Sequence, residues 1–166
     1  MNHVPGVDMS SGSLGQGLSI ALGMALAARL DKLPTRVYVI IGDGELAEGQ
    51  IWEAAMAAAN FKTDNLVAIV DRNRIQATDF IANRMNIGEV STKWASFGWN
   101  TIEINGHDMA SVLWALDEAE GMKSRPTVII ANTVKGKGLS FAENTAAFHN
   151  GTLTDELYAQ ALAELA

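Results

Sequence analysis

The stretch Val37-Tyr38-Val39-Ile40-Ile41-Gly42-Asp43-Gly44-Glu45-Leu46-Ala47-Glu48-Gly49 decides how the whole chain is read. Its first five residues are a continuous apolar run rich in β-branched side chains. That pattern predicts a strand buried on both faces of a parallel sheet, ended by Gly42. Asp43 then falls just beyond the strand's carboxyl end, where open α/β sheets bind their ligands. Gly42 and Gly44 carry no Cβ, so the backbone can turn sharply and a bulky anionic group can approach its N–H groups. From Glu48 to Phe61 the chain is rich in Ala, with Trp52, Met56 and Ala59 or Asn60 at helical spacing. The N-terminus of such a helix faces the same edge and adds a positive dipole end.

A second apolar run, Leu66 to Val70, predicts a strand that delivers Asn73 and Ile75 to that edge, with 28 residues between Gly44 and Asn73. One helix and one strand fit in that distance. Mg2+ prefers an octahedron of oxygen ligands, with one or two from side chains and the rest from phosphate, carbonyls and water. Asp43 offers a carboxylate, Asn73 an amide oxygen and Ile75 a main-chain carbonyl, and a diphosphate would complete the shell. Gly-Asp-Gly by itself is usually only a turn. Combined with the preceding strand, the following helix and the Asn at the next strand end, it reads as a site for Mg2+ and a diphosphate.

The composition is compatible with this. At 166 residues, with 48% hydrophobic and 19% charged residues, the chain reads as one globular domain over 1–166 with a sizeable core. A net charge of −7 and no cluster of Lys and Arg argue against a nucleic-acid surface, so an anionic ligand must be held by metal and backbone N–H groups. With no Cys there is no disulfide, thiolate nucleophile or zinc thiolate, and a reducing cytoplasm is the expected setting. The small-residue apolar run from Ser19 to Ala28 is too short to span a bilayer, and no secretory signal precedes it.

The remaining elements alternate. Met1 to Asp8 reads as a loop. From about Leu14, residues Leu14, Leu18, Ala21, Leu22, Ala25 and Leu26 predict a helix with small residues nearly all round, suited to a crowded interior or a subunit interface. Asn83 to Asn86 reads as a polar loop, Val90, Trp94 and Phe97 as a short helix, and Trp99 to Ile104 as a third strand. Asn105-Gly106-His107-Asp108 turns into a helix capped by Asp108 and ending at Gly121, with His107 structural. Pro126 to Asn132 is the fourth strand. Lys135-Gly136-Lys137-Gly138 reads as a flexible basic loop with a weak phosphate-cradle signal. Leu153 to Leu165 closes the chain as an amphipathic helix opened by Thr154-Asp155-Glu156. This alternation implies a doubly wound parallel sheet with helices on both faces, an α/β fold.

The two motifs together resemble a known family. Gly-Asp-Gly followed by about 25 to 30 residues and an Asn is similar to the thiamine diphosphate signature. Pro5-Gly6-Val7-Asp8 with Gly12-Ser13-Leu14-Gly15-Gln16-Gly17, and Gly42 to Gly49 with Glu53, resemble the transketolase family. The likeness covers essentially the whole chain from Val4 and is to the N-terminal, diphosphate-binding domain, above all the short subunit of split transketolases. It implies thiamine diphosphate and Mg2+ as cofactors, with Ca2+ or Mn2+ as substitutes. Asp43, Asn73 and the Ile75 carbonyl match the metal ligands, and Gly12, Ser13, Leu14, Gly44 and Asn73 match cofactor contacts. Glu48 and Glu53 match acidic residues that link the two cofactor sites of a dimer. Read without the family, Glu48 is an N-terminal helix carboxylate and Glu53 an exposed or interface charge. His149 matches a histidine that contacts the diphosphate and helps proton transfer, although the family has His followed directly by Gly and here Asn150 intervenes.

The resemblance also implies what must come from elsewhere. The family's domain begins upstream of Met1, with histidines for the donor and acceptor sugars that His3 does not match, and a pyrimidine-binding domain carries the glutamate that activates the cofactor. The expected partner is thus a C-terminal subunit with that domain, in a heterotetramer or alongside a homo-oligomer, acting on sugar phosphates with no nucleic acid or membrane. The expected reaction is transfer of a two-carbon ketol unit. The alternatives are a truncated remnant or interaction module without turnover, and a subunit of another thiamine diphosphate enzyme, against which Gly12 to Gly17 argues.

Overall fold

A computed structural model describes residues 4–166; His3 and the start of the expected N-terminal loop lie outside the described residues. Helix α1 (Gln16–Leu30) leads into strand β1 (Val37–Gly42), a 3-10 turn (Asp43–Ala47), α2 (Gly49–Asn60) and β2 (Leu66–Arg72). A hairpin of two-residue strands, β3 (Ile75–Gln76) and β4 (Asp79–Phe80), and a single helical turn, α3 (Ile81–Arg84), come next. The chain closes with α4 (Val90–Ser96), β5 (Asn100–Asn105), α5 (Met109–Gly121), β6 (Thr127–Asn132), a second 3-10 turn (Ala146–His149) and α6 (Asp155–Glu164).

The four long strands form one parallel sheet in the order β1-β2-β6-β5. The steps from β1 to β2 and from β2 to β5 run the same way across the sheet. The step from β5 to β6 runs back. Right-handed crossovers therefore put α2 and α4 on one face and α5 on the other, as observed. On the first face α1, α2 and α4 bury Leu18, Ile51, Ala55 and Trp94 against Ile41, Leu66, Val70 and Ile130. On the second, Ala115 and Ala119 of α5 cover Val67, Ile104 and Ile129. Each fully buried Leu, Ile or Val contributes about 1.5–3 kcal/mol. Four aromatic rings brace α2 and α4 against the start of β5: Trp52 lies 5.4 Å from Trp94 and 5.5 Å from Phe97, and Trp94 lies 4.7 Å from Trp99, centroid to centroid.

Several expectations are corrected. β1 is not buried on both faces: Tyr38 and Ile40 are 47% and 76% exposed, because α5 reaches only as far as β2 and β1 is the edge strand. The region read as a polar loop at 83–86 begins inside α3, which follows the unexpected hairpin. The Lys135–Gly138 loop carries its own hydrogen bonds, with Asn144 N–H donating to the Lys135 carbonyl and Gly138 N–H to Glu143. Helix α6 buries only Ala161 and lies on that loop, where its Glu164 accepts from Ser140, rather than on the sheet. The caps at Asp108 and Thr154 form as expected.

Candidate functional site

The sheet register fixes the site. Gly42, Asp71, Ala131 and Ile104 stand in one row at the carboxyl edge, so Asp43 lies one residue beyond it and Asn73 two. Asp43 opens the 3-10 turn and is 3% exposed. Its Oδ2 accepts the Arg74 N–H at 2.6 Å, while Oδ1 is buried with no hydrogen-bond partner among the described residues. Burial, opposed by the Arg74 N–H and reinforced by the nearby Asp71 charge, pushes its carboxyl up to about 6. A buried carboxylate oxygen without a donor is stabilised by a cation, so the donor set here fits a metal ion.

The Asn73-Arg74-Ile75 corner wraps around that carboxylate. Asn73 is buried; its Oδ1 accepts the Ile75 N–H at 3.0 Å and its Nδ2 donates to Asp71 Oδ2 at 3.0 Å. Arg74 adopts a left-handed conformation, φ 68°, which aims its N–H at Asp43. The corner then enters the hairpin, whose Gln76 lies against Gly44: a Cβ on Gly44 would stand 2.9 Å from Gln76 Cγ, and Gln76 Nε2 donates to the Gly44 carbonyl at 3.0 Å. A need for glycine at 44 thus arises from the hairpin itself. Among the described residues no three His, Cys, Asp or Glu side chains converge to ligate a metal, so any ion here draws on amide and carbonyl oxygens beside Asp43.

The Gly12-Ser13-Leu14 turn is exposed and precedes α1. Glu45 secures it, accepting the Gly15 N–H at 2.8 Å and the Gly42 N–H at 3.2 Å, so one carboxylate joins the glycine turn to the end of β1. Sequence reasoning assigns Glu45 no role. Its signal is its place two residues after Asp43, at the start of a helical turn where a carboxylate meets free N–H groups. Gly15, at φ 83°, also admits the Glu48 side chain, whose Cβ would lie 2.8 Å from a Cβ there. Glu48 stands at the N-cap of α2 without making a capping bond, and Glu53 is exposed one turn on, beside the exposed Met56.

Two cavities open at or beside this edge. One, about 480 Å3, is lined by Asp43, Arg72, Arg74, Phe80 and Val90. The other, about 730 Å3, is lined by Ser13, Gly17, Glu45, Met24, Tyr38 and Ile40. Asp43, Asn73 and Ile75 are therefore brought together, and Gly15 joins them through Glu45 and Gly42. His149 is exposed in the second 3-10 turn and lines neither cavity. His107 is pinned, its Nε2 accepting the Val134 N–H at 2.7 Å, in keeping with a structural role. The Gly138 N–H that a phosphate cradle would need is taken by Glu143.

Parallel strands, crossover helices and a buried carboxylate at the carboxyl edge place the molecule among the doubly wound α/β domains, the class in which ligands bind at strand ends. The family model described as transketolase, thiamine diphosphate binding domain, matches residues 1–165, and the chain belongs to the transketolase family, a family of transferases. It is 45% identical over 165 residues to a 6-deoxy-6-sulfo-D-fructose transketolase subunit of Clostridium sp. strain MSTE9, a match that covers 99% of this chain and 60% of that protein. It is 42% identical over 163 residues to an apulose-4-phosphate transketolase subunit of Phocaeicola vulgatus, covering 98% of this chain and 58% of the relative. The transketolase of Campylobacter jejuni superposes with a TM-score of 0.89 at 31% identity, over 96% of this chain and 26% of that one. The chain thus spans about 60% of the length of these subunit relatives.

Proposed function

We propose that this chain binds the Mg2+–diphosphate end of thiamine diphosphate and supplies half of a composite active site for transfer of a two-carbon ketol unit between sugar phosphates. The observation that carries this is the Asp43 Oδ1 atom, buried without a donor among the described residues at the end of β1 and wrapped by the Asn73–Ile75 corner. Asp43, Asn73 and the Ile75 carbonyl would hold the metal. Gly12, Ser13, Leu14 and Gly44 would meet the cofactor. When bound, the cofactor supplies the electron sink for breaking and forming a carbon–carbon bond. The chain's own work is to neutralise the diphosphate through the metal and to fix its position, with the N-terminus of α2 adding a favourable dipole.

Glu48 and Glu53 are assigned to the contact between two cofactor sites of an assembly, on the strength of their position on and just before α2 at the same edge. His149, exposed in the second 3-10 turn, is assigned to diphosphate contact and proton transfer on the strength of its match to the family's histidine. The proposed partner is a C-terminal subunit carrying a pyrimidine-binding domain; relatives named as transketolase subunits support a divided enzyme. A cytoplasmic setting accords with the absence of Cys, and among the described residues no helix is long and apolar enough to cross a membrane.

Calorimetric titration of thiamine diphosphate into the purified chain, with and without Mg2+ and repeated for Asp43→Ala, tests the reading. Binding that needs both Mg2+ and Asp43 is the expected result. No binding at millimolar cofactor would overturn it and leave a fold retained without its site.

A further inference from the structure

A metal ligand of the amide type has an ambiguity that a carboxylate lacks. An Asn side chain can present either an oxygen or an NH2 group, and only the oxygen can ligate a cation. At Asn73 two neighbours remove the ambiguity. The Ile75 N–H points at one end of the amide and requires an acceptor there, at 3.0 Å; the Asp71 carboxylate faces the other end and requires a donor, also at 3.0 Å. The reversed orientation would set NH2 against N–H and oxygen against carboxylate. The carbonyl oxygen keeps a second lone pair after accepting from Ile75, and that pair is what a cation could use.

Asp71 is itself held. Its other oxygen accepts the Thr133 hydroxyl, and the Thr133 N–H donates to the Arg72 carbonyl at 3.1 Å, which joins the exits of β2 and β6. One carboxylate oxygen is therefore tied to the exit of β6 while the other faces the amide. Nothing in the sequence patterns marks Thr133, sixty-two positions from Asp71 in the chain.

We propose that Asp71, braced by Thr133, is a positioning residue that locks the Asn73 amide with its oxygen toward the metal. The proposal rests on the reading of Asn73 as a metal ligand. Orienting groups of this kind behind a ligand typically change metal affinity by about 10–100-fold.

The test is Mn2+ affinity at a fixed excess of thiamine diphosphate, read as loss of the free-ion signal in electron paramagnetic resonance against a protein-free reference. Asp71→Asn, nearly the same shape, leaves one acceptor oxygen where the Thr133 hydroxyl and the Asn73 NH2 each have their own, so the two can no longer both donate to position 71, and it is expected to weaken Mn2+ binding by at least about 10-fold. The swapped pair Asp71→Asn with Asn73→Asp restores complementarity: the carboxylate introduced at position 73 accepts both from the Ile75 N–H and from the amide introduced at position 71, and it has no wrong orientation. It is expected to recover the affinity by more than Asn73→Asp changes it in the otherwise unaltered chain, the excess reporting the pairing of the two side chains rather than the charge added at the ligand. Thr133→Val removes the brace alone and is expected to give a smaller loss in the same direction; it carries the test if Asp71→Asn melts out. A wild-type chain that binds no Mn2+ overturns the proposed function and this inference together. A wild-type chain that binds while Asp71→Asn, or Thr133→Val in its place, binds equally well overturns the inference alone. So does a swapped pair that folds without recovering.

Discussion

Ionised Asp43 is costly to the fold. Its carboxyl titrates at about 6 rather than near the ordinary 3.8, so the folded state holds the proton more tightly than the unfolded one. Ionised Asp43 therefore weakens the fold above about pH 6, and the penalty disappears as the pH falls from there toward 4. A shift of this size amounts to roughly 3 kcal/mol; with screening by water at the cavity mouth, about 2 kcal/mol is expected at pH 8. Asp43→Asn should raise metal-free stability in urea unfolding at pH 8 by about that amount and change it little at pH 4. The same substitution should abolish Mg2+-dependent binding. Equal effects at the two pH values would show that the carboxyl is not shifted. Below pH 6 protons compete with the ion, so metal affinity of the unaltered chain should fall as pH is lowered through that value. At this scale the sequence was informative where chemistry and chain position coincide, as for Asp43 and Asn73. It was silent on Asp71 and Thr133, whose meeting depends on β2 and β6 lying side by side.

Among the elements, the aromatic brace between α2 and α4 separates two tryptophans by a single hydrogen bond. Trp99 Nε1 donates to the Ala55 carbonyl at 2.9 Å, while Trp94 Nε1 is buried without a partner among the described residues. Trp94→Phe removes an unmatched donor along with ring area and should cost under about 1 kcal/mol. Trp99→Phe loses the same atoms and a made bond, and should cost about 1–2 kcal/mol more by denaturant unfolding. Identical costs would mean that Trp94 finds an acceptor in solution. Helices and strands were legible because their apolar periodicities are strong; α1, α2, α5 and the four long strands fall close to their expected bounds. The β3–β4 hairpin was not. Two-residue strands have no periodicity to read, and the left-handed Arg74 and Ala77 that shape the corner are residue types that give no warning of it.

At the scale of the molecule, the sheet is covered unevenly. Its first face is packed by three helices, but among the described residues only α5 packs on the other, leaving Tyr38 and Ile40 of the edge strand in water. A continuous apolar run predicted burial on both faces; which strand lies at the edge is a property of topology and cannot be read from that run. An exposed apolar edge invites pairing with another chain. Ile40→Lys should therefore reduce concentration-dependent self-association in light scattering while changing unfolding stability by less than about 0.5 kcal/mol. Unchanged association would place the sticky surface elsewhere.

The strand order has a further, kinetic consequence. β1 and β2 are joined through one helix, but β2 and its other neighbour β6 pair residues sixty positions apart, as Val67 does with Thr127. Loop closure over that distance has to precede any gain from the pairing. The α1–β1–α2–β2 half is thus expected to organise first and wait with one side of β2 unpaired. Shortening Val128 to Ala should then speed unfolding and leave the folding rate nearly unchanged, whereas Ala68→Gly should slow folding. The corner that holds Asn73 sits at the seam between the two halves, so it is among the last parts of the molecule to acquire its shape.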